Sequence, residues 1–301
     1  MSLKTAIIIT GPTASGKTEL AVELALRLNT SIISADSRQC FRELNIGVAK
    51  PTPAQLQQVK HYFINSHSIH EEMNAAIYET LALEYCKEVF TSCDHVVICG
   101  GTGLYIKAFC EGLDEIPAID TTIRKQIIQQ YEEKGMVWLQ ENIRSADPLF
   151  FDSGEIENPQ RIMRALEVVK STGRSILSFR NREKKQRPFK ILIFGLSIPK
   201  NELYQRINHR VDLMMESGFL DEAASLIPDQ HLNALQTVGY TELFDYIQGK
   251  NSYENSVSLI KQNTRHYAKR QMTWLKKNEK LEWLDQNFLE KILERNAYVR
   301  T

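Results

Sequence analysis

The sequence predicts an α/β fold with a parallel, helix-flanked sheet, and three observations carry that prediction. The β-branched run Ile7-Ile8-Ile9-Thr10 gives way to Gly11-Pro12-Thr13-Ala14-Ser15-Gly16-Lys17-Thr18, and an amphipathic helical pattern follows from Glu19 to Leu28. Two later runs, His95-Val96-Val97-Ile98-Cys99 and Ile191-Leu192-Ile193-Phe194-Gly195-Leu196, repeat the apolar strand signature. Long helical patterns separate these runs, and one helical block lies between two of them.

The first element defines the chemistry of the rest. A strand, then G-x-x-x-x-G-K-T, then a helix is the order a phosphate cradle requires. The glycines let the backbone turn so that successive N–H groups point inward, and the helix N-terminus adds its dipole. Lys17 reaches the outer phosphate and the Thr18 hydroxyl is placed to bind Mg²⁺. Gly11, Pro12, Thr13, Ala14, Ser15, Gly16, Lys17 and Thr18 together form a candidate diphosphate or triphosphate site of the P-loop NTPase type.

The second strand, Ser31-Ile32-Ile33-Ser34, ends on Ala35-Asp36-Ser37-Arg38-Gln39. Ligands of open α/β sheets bind outside the carboxyl ends of the strands, so Asp36 is expected to face the same crevice as the phosphate loop. A carboxylate there can bind a ribose, ligate a metal, act as a base or cap a helix. Gly47-Val48-Ala49-Lys50-Pro51-Thr52-Pro53 reads as a loop with Pro53 in the first turn of a new helix. From Ala75 to Thr91 the pattern is helical, with Ile77, Leu81, Tyr85 and Val89 on one face.

The strand ending at Cys99 carries no acid at its carboxyl end, where an ATP-hydrolysing P-loop protein would hold Mg²⁺. Asp94 stands at the other end. Gly100-Gly101-Thr102-Gly103 follows instead, and offers either backbone N–H groups and a hydroxyl to an anion or a tight turn into the helix Leu104–Ala108. Neither D-x-x-G nor N-K-x-D is present, which excludes a regulatory GTPase.

Pro117 marks a boundary, and consecutive helices rich in Gln, Glu and Arg run from Ile119 to about Lys185. The expected division is a core of residues 1–117 and 188–301 with a helical insertion over 118–187. After Pro199 helices are expected over Glu202–Ser217, Leu220–Leu226 and Glu254–Lys277, with Arg206 and Arg210 on one face. Lys261 to Asn278 holds six Lys or Arg and no acid, interleaved with His266, Tyr267 and Trp274. Such a face suits phosphate and base contacts, or is simply solvated. Leu281-Glu282-Trp283-Leu284 reads as a late strand, and nothing is legible beyond Gln286.

Composition narrows the class. The formal net charge is zero, so overall charge does not advertise a nucleic-acid partner, although local charge does. Five cysteines form no C-x-x-C pair and seven histidines show no metal-ligand spacing, so reduced thiols, no structural zinc and a cytoplasmic location are expected. No apolar run approaches the length of a membrane span.

Taken together, several stretches resemble the tRNA dimethylallyltransferases. They are Gly11 to Thr18, Asp36-Ser37-Arg38-Gln39, Ile46 to Pro51, Gly100 to Tyr105, Asp147-Pro148, Asn158-Pro159-Gln160-Arg161, Arg210-Val211-Asp212, Gln236 to Tyr240 and Ala268 to Trp274. They run in the family's order over nearly the whole chain. The resemblance implies a phosphate loop that holds dimethylallyl diphosphate with Mg²⁺, and Asp36 as the base that takes a proton from the N6 amine of adenosine 37. It implies that Thr102 and Arg210 face the diphosphate or the reacting centre. It implies a tRNA anticodon stem–loop met by Asp36, Ser37, Arg38, Gln39, Thr102, Arg124, Gln160, Arg161, Lys269 and Arg270, and a monomeric, cytoplasmic enzyme. Thr241 stands where family members carry Lys, and the zinc finger of eukaryotic members is absent, which makes the chain bacterial in type. Two other readings of the same residues are a P-loop small-molecule kinase, which needs an Arg-rich lid, and a nucleotide-gated RNA-binding module, which has no use for Asp36.

Overall fold

A computed structural model describes residues 3–117, 119–154, 156–180, 183–284 and 288–297. Its centre is a parallel sheet of six strands in the order β3-β2-β4-β1-β5-β6. In chain order the elements are β1 (Thr5–Thr10), α1 (Lys17–Arg27), β2 (Ile32–Ser34), α2 (Pro53–Gln58), β3 (His61–Tyr62), α3 (Ala75–Val89), β4 (His95–Gly100) and α4 (Gly103–Glu111). There follow α5 (Thr121–Ala146), α6 (Pro148–Ser153), α7 (Pro159–Thr172), β5 (Lys190–Leu196), α8 (Lys200–Glu216), α9 (Phe219–Ser225), α10 (Tyr240–Ile247), α11 (Tyr253–Leu275), β6 (Leu281–Leu284) and α12 (Phe288–Ala297).

β1 and β4 are buried along their whole length, which is why they read as unbroken apolar runs rather than alternating ones. Their register sets Thr10 against Gly100 and Ser34 against Cys99, so the carboxyl ends of β1, β2 and β4 finish level. The loops that leave those ends therefore meet at one crevice. Ile7, Ile9, Leu24, Val97 and Phe194 pack one face of the sheet against α1, and Leu289 and Ile292 of α12 complete that cluster.

Contacts divide the chain into two compact units, residues 1–111 with 186–301, and residues 112–185. The helical block thus begins at Gly112, before Pro117, and ends two residues short of 187. Gly112 has φ +78°, a left-handed conformation that ends the approach from α4 and that only glycine adopts without strain. Within residues 112–185, Leu139, Ile143, Phe150, Ile162 and Leu166 form a separate core. Gly135, at φ 74°, breaks α5 into two helical arms.

One sequence reading gains detail and one needs correction. The fully buried face of α3 is Tyr78, Ala82, Cys86 and Val89, while Ile77, Leu81 and Tyr85 lie half-buried beside it, Tyr85 stacked on Tyr62. Tyr78 stacks on Tyr105 at 4.2 Å between ring centroids, and this aromatic contact sets the helix rotation. The chain after Gln286 also holds a helix, α12, whose Phe288, Leu289, Ile292 and Leu293 recur at helical spacing and pack on the core.

Candidate active site

The phosphate loop folds as its sequence requires. Gly16 takes φ 83° and Ala14 takes φ 62°, so the chain makes a tight crown before α1 begins. The amides of Lys17, Thr18 and Glu19 open that helix and have no carbonyl one turn behind them. Ser15 Oγ is buried with no partner among the described residues, which suits a hydroxyl meant for an anion. Lys17 Nζ curls over the crown and donates to Pro12 O at 3.1 Å.

Asp36 stands where β2 ends, across the crevice from the crown. Its Oδ1 accepts the N–H of Arg38 at 2.9 Å and of Gln39 at 3.3 Å. Oδ2 has no protein partner among the described residues. Arg210 reaches in from α8, and its Nη1 donates to Thr13 Oγ1 at 3.3 Å. Burial pulls the pKa values of Lys17 and Arg210 down, and the Asp36 carboxylate opposes that shift in both. Asp36 and Arg210 share one cavity of about 370 Å³ with Thr13 and Ala14 of the crown. Ile207, Val211, Met214, Phe219, Val238 and Ile260 give it an apolar wall, and Arg38, Thr264, Tyr267 and Arg270 add polar groups. The arrangement sets a cation, a carboxylate and an apolar wall on one cavity.

The neighbouring glycines serve packing. A Cβ on Gly100 would lie 2.3 Å from the Ala35 backbone, and one on Gly101 2.3 Å from Gln271 Nε2. Thr102 N–H donates to Ala35 O at 3.1 Å. Gly100-Gly101-Thr102 is therefore a tight turn in which the Thr102 amide is taken by the Ala35 carbonyl. Thr102 Oγ1 accepts Ser37 N–H at 3.1 Å and bonds Tyr267, so it shapes the crevice through two residues that line it. Burial pushes the Tyr267 hydroxyl up to about 12, which keeps it protonated.

The other expected site residues fall into two groups. Ser37 and Arg38 line the cavity, and Arg38 also reaches Asn233 Oδ1 at 3.4 Å. Lys269 and Arg270 are exposed on α11, with the Arg270 guanidinium 5.8 Å from the Tyr267 ring centre. Gln39 differs from expectation: its side chain turns inward, donating to Ala49 O at 3.0 Å and accepting from Ser34 Oγ at 3.2 Å. Of the six cations on α11 and its C-terminal exit, Lys261 pairs with Asp212 at 2.5 Å and Arg265 donates to Asn208 at 2.7 Å, so both are turned to α8. Thr241 donates to Glu242 at 2.9 Å within its own helix.

In the unit of residues 112–185, Gln160 and Arg161 are exposed on the first turn of α7, which Asn158 caps. Arg124 lies 3.7 Å from the buried carboxylate of Glu167, which Arg164 also binds at 3.2 Å.

Two residues that sequence reading passed over hold the site together. Glu222 of α9 accepts the N–H groups of Asn45, Ile46 and Gly47 at 3.2, 2.8 and 3.1 Å, and the Tyr240 hydroxyl at 2.6 Å. This fixes the 45–48 loop along the cavity. Gln271 of α11 bonds the phosphate loop. Neither contact has a local signal, because each spans more than a hundred residues of chain.

The donor set for a metal is the Thr18 hydroxyl, which bonds the Cys99 thiol. Burial pushes that thiol up to about 11, so it is protonated and no thiolate ligand. A hydroxyl with water and phosphate oxygens suits Mg²⁺, which keeps several waters and binds through phosphates. The residues fit that ion.

Fold and site define a P-loop α/β protein that sets a carboxylate and an arginine against its anion cradle. The sequence matches the IPP transferase family over residues 39–278. It is 44% identical to tRNA dimethylallyltransferase 1 of Bacteroides thetaiotaomicron over 292 residues, covering 97% of this chain and 95% of that one. The tRNA dimethylallyltransferase of Cytophaga hutchinsonii is also 44% identical, over 93% of this chain and 92% of its own. The chain belongs to the IPP transferase family. Its fold resembles the tRNA isopentenylpyrophosphate transferase of Bacillus halodurans, with a TM-score of 0.70 at 33% identity, covering 98% of this chain and 95% of that one. A eukaryotic dimethylallyltransferase crystallised acting on tRNA shares the fold, with a TM-score of 0.79 at 23% identity over 98% of this chain and 79% of that one.

Among the described residues no helix is long and apolar enough to cross a membrane.

Proposed function

We propose that this protein transfers the dimethylallyl group of dimethylallyl diphosphate to N6 of adenosine 37 beside the tRNA anticodon, as a cytoplasmic monomer. The observation that carries the reading is Asp36 and Arg210 on one cavity, together with Thr13 and Ala14 of the phosphate loop and an apolar wall. An exocyclic adenine amine is a poor nucleophile because its lone pair is delocalised into the ring. As N6 attacks C1 of the dimethylallyl group, the C1–O bond breaks, the electron pair leaves with diphosphate, and the N6 proton passes to Asp36 Oδ2. Oδ1 is held by two amides, so the accepting oxygen is fixed in direction.

Charge grows on the departing diphosphate. Lys17, the α1 N-terminus and Arg210 stabilise it. Thr18 would hold Mg²⁺ there, and that ion when bound would neutralise part of the diphosphate charge. The apolar residues of α8 and α11 shelter the allylic carbon from water. A base cannot react while stacked, so the adenine must be splayed into the cavity, and single-stranded loops are the usual targets of such readers. Arg38 and Arg270 line the cavity and Lys269 is exposed next to Arg270, all available to the RNA backbone, and residues 112–185 contribute Gln160 and Arg161.

The carboxyl end of β4 holds Cys99 and Gly100 and no carboxylate, which argues against an ATP-using kinase, and the Asp36 oxygen left without a partner among the described residues argues against a module that binds without chemistry. The test is mass spectrometry of tRNA after incubation with the protein and dimethylallyl diphosphate. A gain of one dimethylallyl group on the anticodon-loop adenosine is expected. ATP turnover without prenyl transfer would overturn the reading.

A further inference from the structure

The phosphate loop is held in shape by a side chain more than two hundred and fifty residues away. Gln271 Oε1 accepts Thr13 N–H at 2.8 Å across a sequence separation of 258, and its Nε2 donates to Gly101 O at 3.0 Å. One partner is a donor and the other an acceptor, so the amide can be oriented in only one way. Gln271 is 8% exposed and does not line the cavity. Gly101 lets the amide come close: an added Cβ would stand 2.3 Å from Gln271 Nε2 and push it off its bonds.

The loop needs such a clamp. Ala14, next to Thr13, is held at φ 62°, where a residue with a Cβ is strained. The local bond across the crown, Ser15 N–H to Pro12 O, is long at 3.3 Å. Strained backbone persists only where its surroundings over-determine it. Arg210 holds Thr13 by its side chain and Gln271 holds it by its backbone.

We propose that Gln271 is a positioning residue that keeps the phosphate loop in its diphosphate-receiving shape, so that donor affinity rests on a side chain that touches no ligand. The inference rests on the loop being a diphosphate site, as the proposed function has it. It does not require the prenyl transfer itself.

The test compares Gln271→Met and Gln271→Glu with wild type, using inorganic pyrophosphate with Mg²⁺, and dimethylallyl diphosphate, as calorimetric probes. Met matches the length and removes both bonds, and each bond lost between buried groups costs enough to weaken binding by roughly 10- to 100-fold. Glu near neutral pH accepts from Thr13 but turns a second lone pair on Gly101 O, so it weakens binding by a similar factor. Burial raises the pKa of such a carboxyl, and on acidification the protonated form regains both the donor and the acceptor. The affinity of Gln271→Glu, taken as a ratio to wild type at each pH, should therefore recover as pH falls, while that of Gln271→Met should not. Mere packing would show no such recovery.

Unchanged pyrophosphate affinity in Gln271→Met would overturn the proposal. So would a Glu ratio flat with pH, or a Met variant whose melting curve shows it unfolded, since the residue would then hold the core rather than the loop. A wild type that binds pyrophosphate but transfers no prenyl group would sink the proposed function and leave this inference standing. A wild type that binds neither probe would sink both.

Discussion

The Asp36 carboxylate accepts the Arg38 N–H at 2.9 Å through Oδ1, and the same oxygen takes the Gln39 N–H at 3.3 Å. One oxygen thus caps the turn after β2, which leaves the other for chemistry. Cap and base are not rival roles here. Asp36→Asn keeps a cap oxygen of equal quality, so the fold should melt as wild type does. It removes the proton acceptor, and single-turnover prenyl transfer at saturating substrates should fall by about 10²–10⁴-fold. Donor and tRNA affinity should hardly move, because the loss lies in the transition state. A folded variant with wild-type turnover would take Asp36 out of the mechanism.

The RNA face makes a different prediction. Lys269 and Arg270 are exposed on α11, and Arg161 is exposed on α7. If they meet phosphates, log affinity for tRNA should fall with log salt by roughly 0.7 to 0.9 per phosphate neutralised. Replacing Lys269 and Arg270 by Gln should lower that slope by up to about two while leaving pyrophosphate binding as it was. Lys261 and Arg265 are bonded to α8, so their replacement should leave the salt slope unchanged. Filter binding over a salt series separates the two pairs, and equal slopes for all variants would return the α11 cations to a solvated face.

These differences show which parts of the molecule a sequence displays. The strands are legible because both faces of a parallel sheet are buried and their apolar runs are unbroken. The phosphate loop is legible because strand, glycines, lysine and helix are adjacent in the chain. Gln39 is not, because a polar side chain beside a candidate base looks the same whether it faces RNA or its own loop; here it bonds Ala49 O. Gln271 hides for the same reason in a run of cations. Which residues of α3 are fully buried depends on partners such as Tyr105, stacked on Tyr78, a tertiary contact that periodicity along one helix does not contain. What is local was readable, and what depends on an opposing element was not.

A pH dependence follows from His61. Its Nδ1 donates to Val59 O at 2.8 Å, so Nε2 carries the lone pair, and that atom is buried with no partner among the described residues. Burial lowers the pKa below the ordinary 6.5, with the Val59 bond opposing. The unfolded chain therefore binds a proton at a pH where the fold still refuses it. Stability from this group is complete above 6.5 and is lost as pH falls from there through the folded value. His61→Phe removes the titration. Between about pH 7 and about pH 5 the melting temperature of wild type should drop further than that of the variant. Parallel curves would show that His61 titrates alike in both states.

The last prediction concerns Glu222, whose two oxygens accept three consecutive amides, Asn45, Ile46 and Gly47, and the Tyr240 hydroxyl. The loop lies against Phe219, where a Cβ on Gly47 would stand 2.3 Å from the ring, and Phe219 is 1% exposed. Gly47 and Val48 in turn line the cavity. In Glu222→Gln one oxygen becomes an NH₂, which cannot accept, so about half of these bonds are lost and two donors are set facing each other. Bonds to a charged acceptor are worth about 1.5–3 kcal/mol each, so unfolding stability should fall by about 2 kcal/mol or more in urea. The loop should also loosen at the cavity wall. KM for dimethylallyl diphosphate should then rise while the rate at saturation, which depends on Asp36, changes less. Gly47→Ala tests the same wall from the other side: the methyl meets the Phe219 ring, which must either be overpacked, at a cost of about 1–3 kcal/mol, or shift into the cavity it lines. If Glu222→Gln matched wild type in both urea midpoint and donor KM, the anchor would have no part in holding the cavity.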